Sequence, residues 1–309
     1  MKSSHFLSGK KILVTGASGF IGSHLCRQLL AHDTKVHGIS RKPPSENRED
    51  VHWWRGDLVD FEFMQKVMIE TKPDIIFHLG SYVAGSRSLK LVLPTFQSNL
   101  ASTVNMLTAA TQAGCHRIIL AGSMEEPENG NDFAVPCSPY AAAKWASNGY
   151  ARMFYTLYQT PVDIARIFMV YGPGQNDLKK LIPYVILSLL RGESPKLTSG
   201  HRQIDWIYVD DVVQGLIAMA CTPSLQGDII DIGSGELITI QNVVKKLVEK
   251  VDPDIVPEFG SLPERQLEQI RIARVSESAS KIHWKPQISL DEGLDRTVSW
   301  YRKQIHDDL

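Results

Sequence analysis

Short apolar runs alternate with stretches whose apolar residues recur every three or four positions through the first half of the chain. The runs predict strands over 11–15, 35–39, 51–54, 74–79, 117–122 and 162–167. The periodic stretches predict helices near 20–32, 60–71, 95–113 and 138–158. Strands that read as apolar on both faces and alternate with helices imply an α/β fold, a parallel sheet covered on both sides. In such sheets ligands bind beyond the carboxyl ends of the strands. Gly16, Ser40, Asp57, Gly80, Ser123 and Met169 each follow a predicted strand. Past Gly172 the rhythm changes, with Pro173, Gly174, Pro183, Gly192, Pro195 and Gly200 punctuating shorter elements. Residues 43–50 read as a polar surface loop.

The first strand runs straight into Gly16, Gly19 and Gly22, and a helix with Leu25, Leu29 and Leu30 follows. A strand, a glycine turn and a helix opening place unpaired N–H groups and the positive helix end where a pyrophosphate can sit. Glycine is required because a side chain would block the phosphate or strain the turn. The spacing is Gly-x-x-Gly-x-x-Gly, with Ser18, Phe20 and Ile21 between the glycines. The expectation is therefore a Rossmann-type doubly wound parallel sheet with a smaller C-terminal substrate-binding region. Residues 1–173 are expected to form the dinucleotide-binding domain, 174–309 mostly the substrate-binding region, and 204–232 to return to the main sheet.

Tyr140 and Lys144 stand one helical turn apart, on one face of the helix predicted near 138–158. A phenol is a poor proton carrier at neutral pH, and a neighbouring ammonium is expected to lower its pKa. Ser123, at the end of the apolar strand Ile118–Ala121, offers a hydroxyl to a substrate carbonyl.

With these residues in order, the chain resembles the extended short-chain dehydrogenase/reductase family of nucleotide-sugar epimerases, dehydratases and ketoreductases. The resemblance runs over nearly the whole length. Besides the glycine turn and Ser123/Tyr140/Lys144, it includes Gly56-Asp57-Leu58, His78-Leu79-Gly80-Ser81, Asn99, Arg166–Pro173 and Asp205–Val212. It implies a dinucleotide held by Gly16, Ser18, Gly19, Phe20, Ile21, Gly22, Ser40, Arg41, Lys42, Asp57, Leu58, Leu79, Gly80, Ser81, Asn99, Tyr140 and Lys144. Tyr140 shuttles the proton, Lys144 holds the nicotinamide ribose and tunes Tyr140, and Ser123 orients the sugar oxygen. Asp57 sits near the adenine by resemblance, and it equally suits the cap of the next helix. Substrate contacts are expected from Ser123, Met124, Met169, Arg202 and Arg265, the last on the nucleotide diphosphate. A homodimer is implied too, packed through the helices over 95–113 and 138–158, with Leu100, Val104, Leu107, Ala146, Met153 and Leu157 as candidate contacts.

Two features bear on the reaction. The second strand ends in Ser40-Arg41-Lys42, without the acid that binds the ribose 2′-hydroxyl of NAD. Arginine clamps a 2′-phosphate, so NADP(H) is favoured, with NAD as the alternative. In the family's 4,6-dehydratases an Asp-Glu pair follows the hydroxyl residue; here Met124 stands in place of the Asp acid and Glu125 keeps the base position. A thioether cannot protonate a leaving hydroxide. The stretch Gly122–Glu126 instead looks like reductases of 4-keto-6-deoxy nucleotide sugars. The first reading is accordingly NADP(H)-dependent reduction of a nucleotide-activated 4-keto sugar. The alternatives are an NAD-dependent nucleotide-sugar epimerase or dehydratase, and a non-catalytic dinucleotide-binding regulator on the same fold. Retention of both Tyr140 and Lys144 counts against the last.

Composition narrows the partners. The 309 residues carry a formal net charge of −1, which gives no electrostatic case for nucleic acid or a membrane surface. No apolar run reaches the ~20 residues of a membrane span. Met1–His5 is expected to lead directly into the first strand without a signal peptide, and Cys26, Cys115, Cys137 and Cys221 lack metal-ligand or redox spacing. Reduced thiols and a cytoplasmic location follow as expectations. Asp210 and Asp211 are expected to cap a helix.

Overall fold

The computed structural model describes residues 2–42, 50–127, 134–223, 225 and 227–307; of the loop over 43–50, residues 43–49 lie outside the described residues. The strands, in chain order, are β1 Lys11–Thr15, β2 Lys35–Ser40, β3 Val51–Arg55, β4 Ile75–His78, β5 Arg117–Ser123, β6 Val162–Ile167, β7 Met169–Tyr171, β8 Gln203–Tyr208, β9 Ile229–Ile232 and β10 Leu237–Thr239. Seven of them form one sheet in the order β3-β2-β1-β4-β5-β6-β9, every pairing parallel. This is the expected Rossmann-type doubly wound sheet, and the strand order reverses between β1 and β4. At such a switch point the following loops part and leave a crevice.

Both faces of the sheet are dry. Ile12 and Val14 of β1, Phe77 of β4 and Ile119 of β5 face one apolar core, while Leu13, Ile76, Ile118 and Leu120 face the other. Alternate side chains of a strand point to opposite faces, so burial on both sides demands unbroken apolar runs. A second sheet, β10-β8-β7, covers a third core with the helices Leu181–Leu190, Ile240–Val251 and Leu290–Asp307.

Three boundaries differ from the sequence expectation. A helix, Lys2–Leu7, precedes β1, anchored by fully buried Leu7. The segment over 204–232 only partly rejoins the main sheet: β9 does, whereas β8 pairs in the small sheet with β7. The helix expected over 95–113 is three consecutive pieces, Val92–Thr95, a π-helical Phe96–Ala101 and Ser102–Gln112. Single π turns inside helices gather at functional sites because they re-aim one side chain. Here that side chain is Asn99, which is fully buried.

The helix Pro139–Tyr158 positions the chemistry. Ser138 caps it by accepting a hydrogen bond from the Ala141 N–H at 3.1 Å, and Pro139 occupies the first turn, where a missing N–H costs nothing. Alanines favour the helical state, and buried Ala141, Ala143 and Ala151 let the helix sit close to its neighbours. Gln159 ends it in the left-handed conformation.

Candidate active site

At the switch point, a cleft of about 680 Å³ is lined by Gly16, Ser18 and Gly19 after β1, Ser40–Lys42 after β2, Arg55–Leu58 after β3 and Gly80–Tyr82 after β4. Gly16 takes φ +67°, and a Cβ there would lie 2.9 Å from the Gly80 backbone. A Cβ on Gly22 would lie 2.1 Å from the Gly16 carbonyl oxygen. Both positions therefore exclude every other residue. Gly19 caps the helix Phe20–Leu30 without a side chain, so the first-turn N–H groups of Phe20, Ile21 and Gly22 are not answered by a capping side chain. Ser18 and Ser40 share a 2.7 Å hydrogen bond, and Ser40 also accepts from the Lys42 N–H at 3.1 Å. A cradle that tolerates no Cβ, facing a helix N-terminus, fits the pyrophosphate of a dinucleotide. Arg55, which has no motif to mark it in the sequence, lies opposite Ser40 in the β2–β3 register and adds a third cation beside Arg41 and Lys42.

Asp57 lines this cleft but caps no helix; Asp60 does, accepting from Phe63 N–H at 3.0 Å. Asp57 accepts instead from Val59 N–H at 3.1 Å. Leu58 lines the cleft and closes over Gly80. Leu79 packs on the core, its N–H donating to the Thr15 carbonyl.

A buried polar chain holds the loop after β4. The Gly80 N–H donates to Thr15 Oγ1 (3.0 Å), and Thr15 Oγ1 lies 2.9 Å from His78 Nδ1. His78 Nε2 lies 3.1 Å from Thr103 Oγ1, whose own hydrogen goes to the Asn99 carbonyl at 2.6 Å. Thr103 can thus only accept from the ring, so the neutral tautomer carries its proton on Nε2, and Thr15 donates to Nδ1. Burial, with the nearby Lys144 charge, pulls the His78 pKa down to about 3. The Asn99 amide is occupied in the same loop: Oδ1 accepts from Ser81 Oγ (3.0 Å) and Tyr82 N–H (2.6 Å), and Nδ2 donates to the Tyr82 carbonyl (3.1 Å). The structure therefore gives Asn99 the role of shaping the Ser81–Tyr82 wall rather than lining the cleft itself.

Ser123, Tyr140 and Lys144 come together at the carboxyl end of β5, outside the residues that line the large cleft. Ser123 Oγ accepts from the Glu125 N–H at 3.2 Å, and its hydroxyl acts on the Tyr140 phenol. Lys144, 3% exposed, donates to the Ala121 carbonyl at 2.8 Å. Burial pulls its ammonium down to about 8, opposed by the charge of Glu126. The expectation that Lys144 acidifies Tyr140 meets a different balance. Burial pushes the phenol above its ordinary value, Glu125 and Glu126 add to the rise, and the opposing group is the Ser123 hydroxyl. Glu125 lies beside the site, 4.0 Å from the Cys137 thiol.

On the substrate side the placements diverge. Met124 is 2% exposed and its side chain packs in the core, while its carbonyl accepts from buried Arg271 at 3.3 Å. A lone apolar side chain at a turn gains more from the core than from a polar pocket. Met169 begins β7, partly buried against two cores. Arg202 pairs with Glu268 at 3.0 Å and donates to the Gln269 carbonyl at 2.9 Å, whereas Arg265 is 61% exposed and 3.9 Å from Glu268. Both arginines thus border one loop over 265–269. Buried Arg271 sits between exposed Ile270 and Ile272, again without any sequence motif to mark it.

Other charges are structural. Asp210 and Asp211 lie in the first turn of the helix Val209–Cys221, as the helix dipole favours, yet neither is its cap. Asp210 meets His24 at 3.2 Å, and Asp211 accepts from the Gln287 and Ile288 N–H groups, each at 2.9 Å. Among the described residues there is no cluster of His, Cys, Asp or Glu that could hold a metal, and no helix long and apolar enough to cross a membrane. Of the residues expected at a dimer contact, Leu107 is fully buried in the core, Leu100, Val104, Ala146 and Met153 are half-buried, and Leu157 is exposed.

Comparison with known proteins agrees with this geometry. The NAD dependent epimerase/dehydratase family matches residues 12–233. A UDP-glucose 4-epimerase of Mycolicibacterium smegmatis is 30% identical over 320 residues, covering 95% of this chain and 99% of that protein. The solved structure of the UDP-glucose 4-epimerase of Thermotoga maritima with UDP-glucose has a TM-score of 0.87 at 25% identity, covering 95% of this chain and 99% of that one. The Thermus thermophilus UDP-glucose 4-epimerase, solved with NAD, is 27% identical with a TM-score of 0.79, covering 94% of this chain and 98% of that one. A glycine cradle at the switch point, a Ser–Tyr–Lys group at the end of β5 and a match over most of the length lead to one conclusion: the chain belongs to the NAD dependent epimerase/dehydratase family.

Proposed function

We propose that the protein interconverts a ring hydroxyl and a ketone of a nucleotide-linked hexose, in the manner of a 4-epimerase, with a nicotinamide dinucleotide bound across the switch point. The observation that carries this reading is the gathering of Ser123, Tyr140 and Lys144 at the end of β5, with Lys144 buried and donating to the Ala121 carbonyl. When bound, the nicotinamide supplies a hydride acceptor and donor. The chain's residues do the rest. The Gly16–Gly22 turn and the opening of the helix Phe20–Leu30 would hold the pyrophosphate, Asp57 and Leu58 would receive the adenine side, and Lys144 would hold the nicotinamide ribose. Tyr140 takes the proton of the sugar hydroxyl and returns it, and Ser123 donates a hydrogen bond to the same oxygen. Dehydration is disfavoured, since Met124 is buried and has no proton to give a leaving hydroxide.

The epimerase likeness of the relatives weighs against the ketoreductase expectation. Two observations nonetheless favour reduction of a 4-keto sugar as a second reading. Arg41, Lys42 and Arg55 border the cleft where a 2′-phosphate belongs, with Ser40 in place of an acid. A phenol held protonated by its raised pKa also keeps a proton to give to a developing alkoxide. One experiment separates the two: identify the nucleotide that co-purifies, then assay UDP-hexose interconversion and NADPH consumption with 4-keto nucleotide sugars. Interconversion without net change in nicotinamide absorbance supports epimerisation; stoichiometric NADPH loss supports reduction. Tight cofactor binding with neither activity refutes both readings. We further propose a homodimer through the helix faces that expose Phe96, Trp145 and Leu157, to be checked by light scattering.

A further inference from the structure

Glu126 is a carboxylate that the relay described above does not use. It is 2% exposed, directly beneath the end of β5. Its Oε1 accepts the Ser123 N–H at 2.6 Å, and its Oε2 accepts from Asn148 Nδ2. Asn148 is itself buried and lies one turn beyond Lys144 on the helix that carries Tyr140. Gly122 leaves room for this arrangement, since a Cβ there would stand 3.1 Å from Glu126 Oε1. Burial pushes the carboxyl above its ordinary range, opposed by the Ser123 N–H and by the charges of Arg166, Lys144 and Arg271. In this arrangement both oxygens face N–H donors, which favours the ionised form, whereas turning the Asn148 amide over would offer its Oδ1 to a protonated oxygen. Arg166 is already engaged with Asp231 at 3.0 Å, and Arg271 bonds the Met124 carbonyl.

We propose that Glu126 is a positioning residue: its buried carboxylate clamps the Ser123 backbone to the Tyr140/Lys144 helix and serves as the internal counter-charge that keeps Lys144 protonated. The mechanistic half rests on the oxidoreductase reading; the electrostatic half does not. Geometry supports the charge role: Lys144 Nζ donates to the Ala121 carbonyl at 2.8 Å, two residues before the Ser123 N–H that Glu126 holds, and Glu126 also bonds Asn148 one turn beyond Lys144 on its helix. The Glu126 charge opposes the downward pull of burial on Lys144. An uncompensated ammonium in that position would shed its proton near neutrality.

The test uses Glu126→Gln, an isosteric change that removes charge. Its amide can still accept from the Ser123 N–H, and Asn148 Oδ1, a buried atom without a hydrogen-bond partner, can take the new Nε2–H if the Asn148 amide turns over. The ionisation of Lys144 is read directly by NMR of [13Cε]lysine protein, with the signal assigned by its loss in Lys144→Met. In Glu126→Gln the Lys144 midpoint is expected to fall by about one pH unit or more, and the alkaline limb of kcat to fall with it while KM stays within threefold. An unmoved midpoint in folded Glu126→Gln protein overturns the proposal. Should that variant not fold, Glu126→Asp keeps the charge on a shorter arm. It is expected to retain the Lys144 midpoint within about 0.3 units while kcat drops several-fold. A midpoint displaced by a full unit in that variant overturns the proposal too. The NMR titration needs no substrate, so absence of nucleotide-sugar turnover would count against the proposed function and leave the Glu126 result readable.

Discussion

Replacing His78 by asparagine probes the joint between the sheet and the cofactor loop. The folded imidazole is neutral, bridges Thr15 and Thr103, and holds its proton-binding midpoint near 3, against an ordinary value of 6.5. Between those values the unfolded chain binds a proton that the folded chain refuses. Stability therefore rises with pH across that window and is lost on acidification below 6.5. The slope is half of about 1.4 kcal/mol per pH unit at 6.5 and approaches that full value below it, so going from about pH 6.5 to about pH 4.5 should cost the native protein roughly 2 kcal/mol through this one residue. His78→Asn keeps an acceptor near Thr15, gives up the contact to Thr103 and removes the titration. Near pH 7.5 it should lose about 1–3 kcal/mol for the buried polar contact and shape removed. Urea unfolding of both proteins at half-unit steps from about pH 4.5 to about pH 7.5 reads the difference. The two stability curves should converge as pH falls, and a loss of about 2 kcal/mol at neutral pH brings their crossing to about pH 5. Parallel curves over that range would refute a buried neutral imidazole.

Other outcomes test the site itself. Tyr140→Phe should lower turnover by about a hundred- to ten-thousand-fold, with cofactor affinity, read by fluorescence titration, changed no more than a few-fold. Gly22→Ala puts a methyl 2.1 Å from the Gly16 carbonyl oxygen, so the turn must open and dinucleotide affinity should fall at least tenfold by calorimetry. Arg41→Asp combined with Arg55→Ala should move the NADPH/NADH preference toward NADH by at least tenfold in Kd; an unchanged ratio would mean these cations do not contact a 2′-phosphate.

Much of the fold is legible in the sequence because a sheet buried on both faces leaves a periodic trace. Strand β6 falls where the apolar run over 162–167 predicts it, and β5 runs one residue further, to Ser123. The cradle is legible for the same kind of reason: Gly16 and Gly22 are positions where only one residue fits. The helix Lys2–Leu7 leaves no such trace because its polar residues show no period and one anchor, Leu7, holds it. The π segment is hidden because Phe96–Ala101 has the composition of an ordinary helix; the register shift depends on what Asn99 bonds across the loop. Met124 shows a limit of reading by alignment. Its place beside Ser123 suggests a substrate contact, but its side chain turns inward while its carbonyl meets Arg271. Arg271 carries no motif, and Glu126, although part of the Gly122–Glu126 stretch, shows no sign in the sequence of its bond to Asn148, because both contacts join segments distant in sequence.

The central claim is that Tyr140 and Ser123 act on a sugar hydroxyl beside a nicotinamide. It is tested most directly by incubating the protein, loaded with its nicotinamide dinucleotide, with UDP-hexose deuterated at C4, and weighing the cofactor after a rapid quench. Cofactor caught in its reduced form by the quench should be one mass unit heavier than NADH, the oxidised cofactor should be unlabelled, and the interconverted sugar should keep its deuterium at C4; Tyr140→Phe protein should yield almost no reduced cofactor. Sugar interconversion in which C4 loses its deuterium to solvent, reduced cofactor without deuterium, or equal labelling in the two proteins would contradict the assignment.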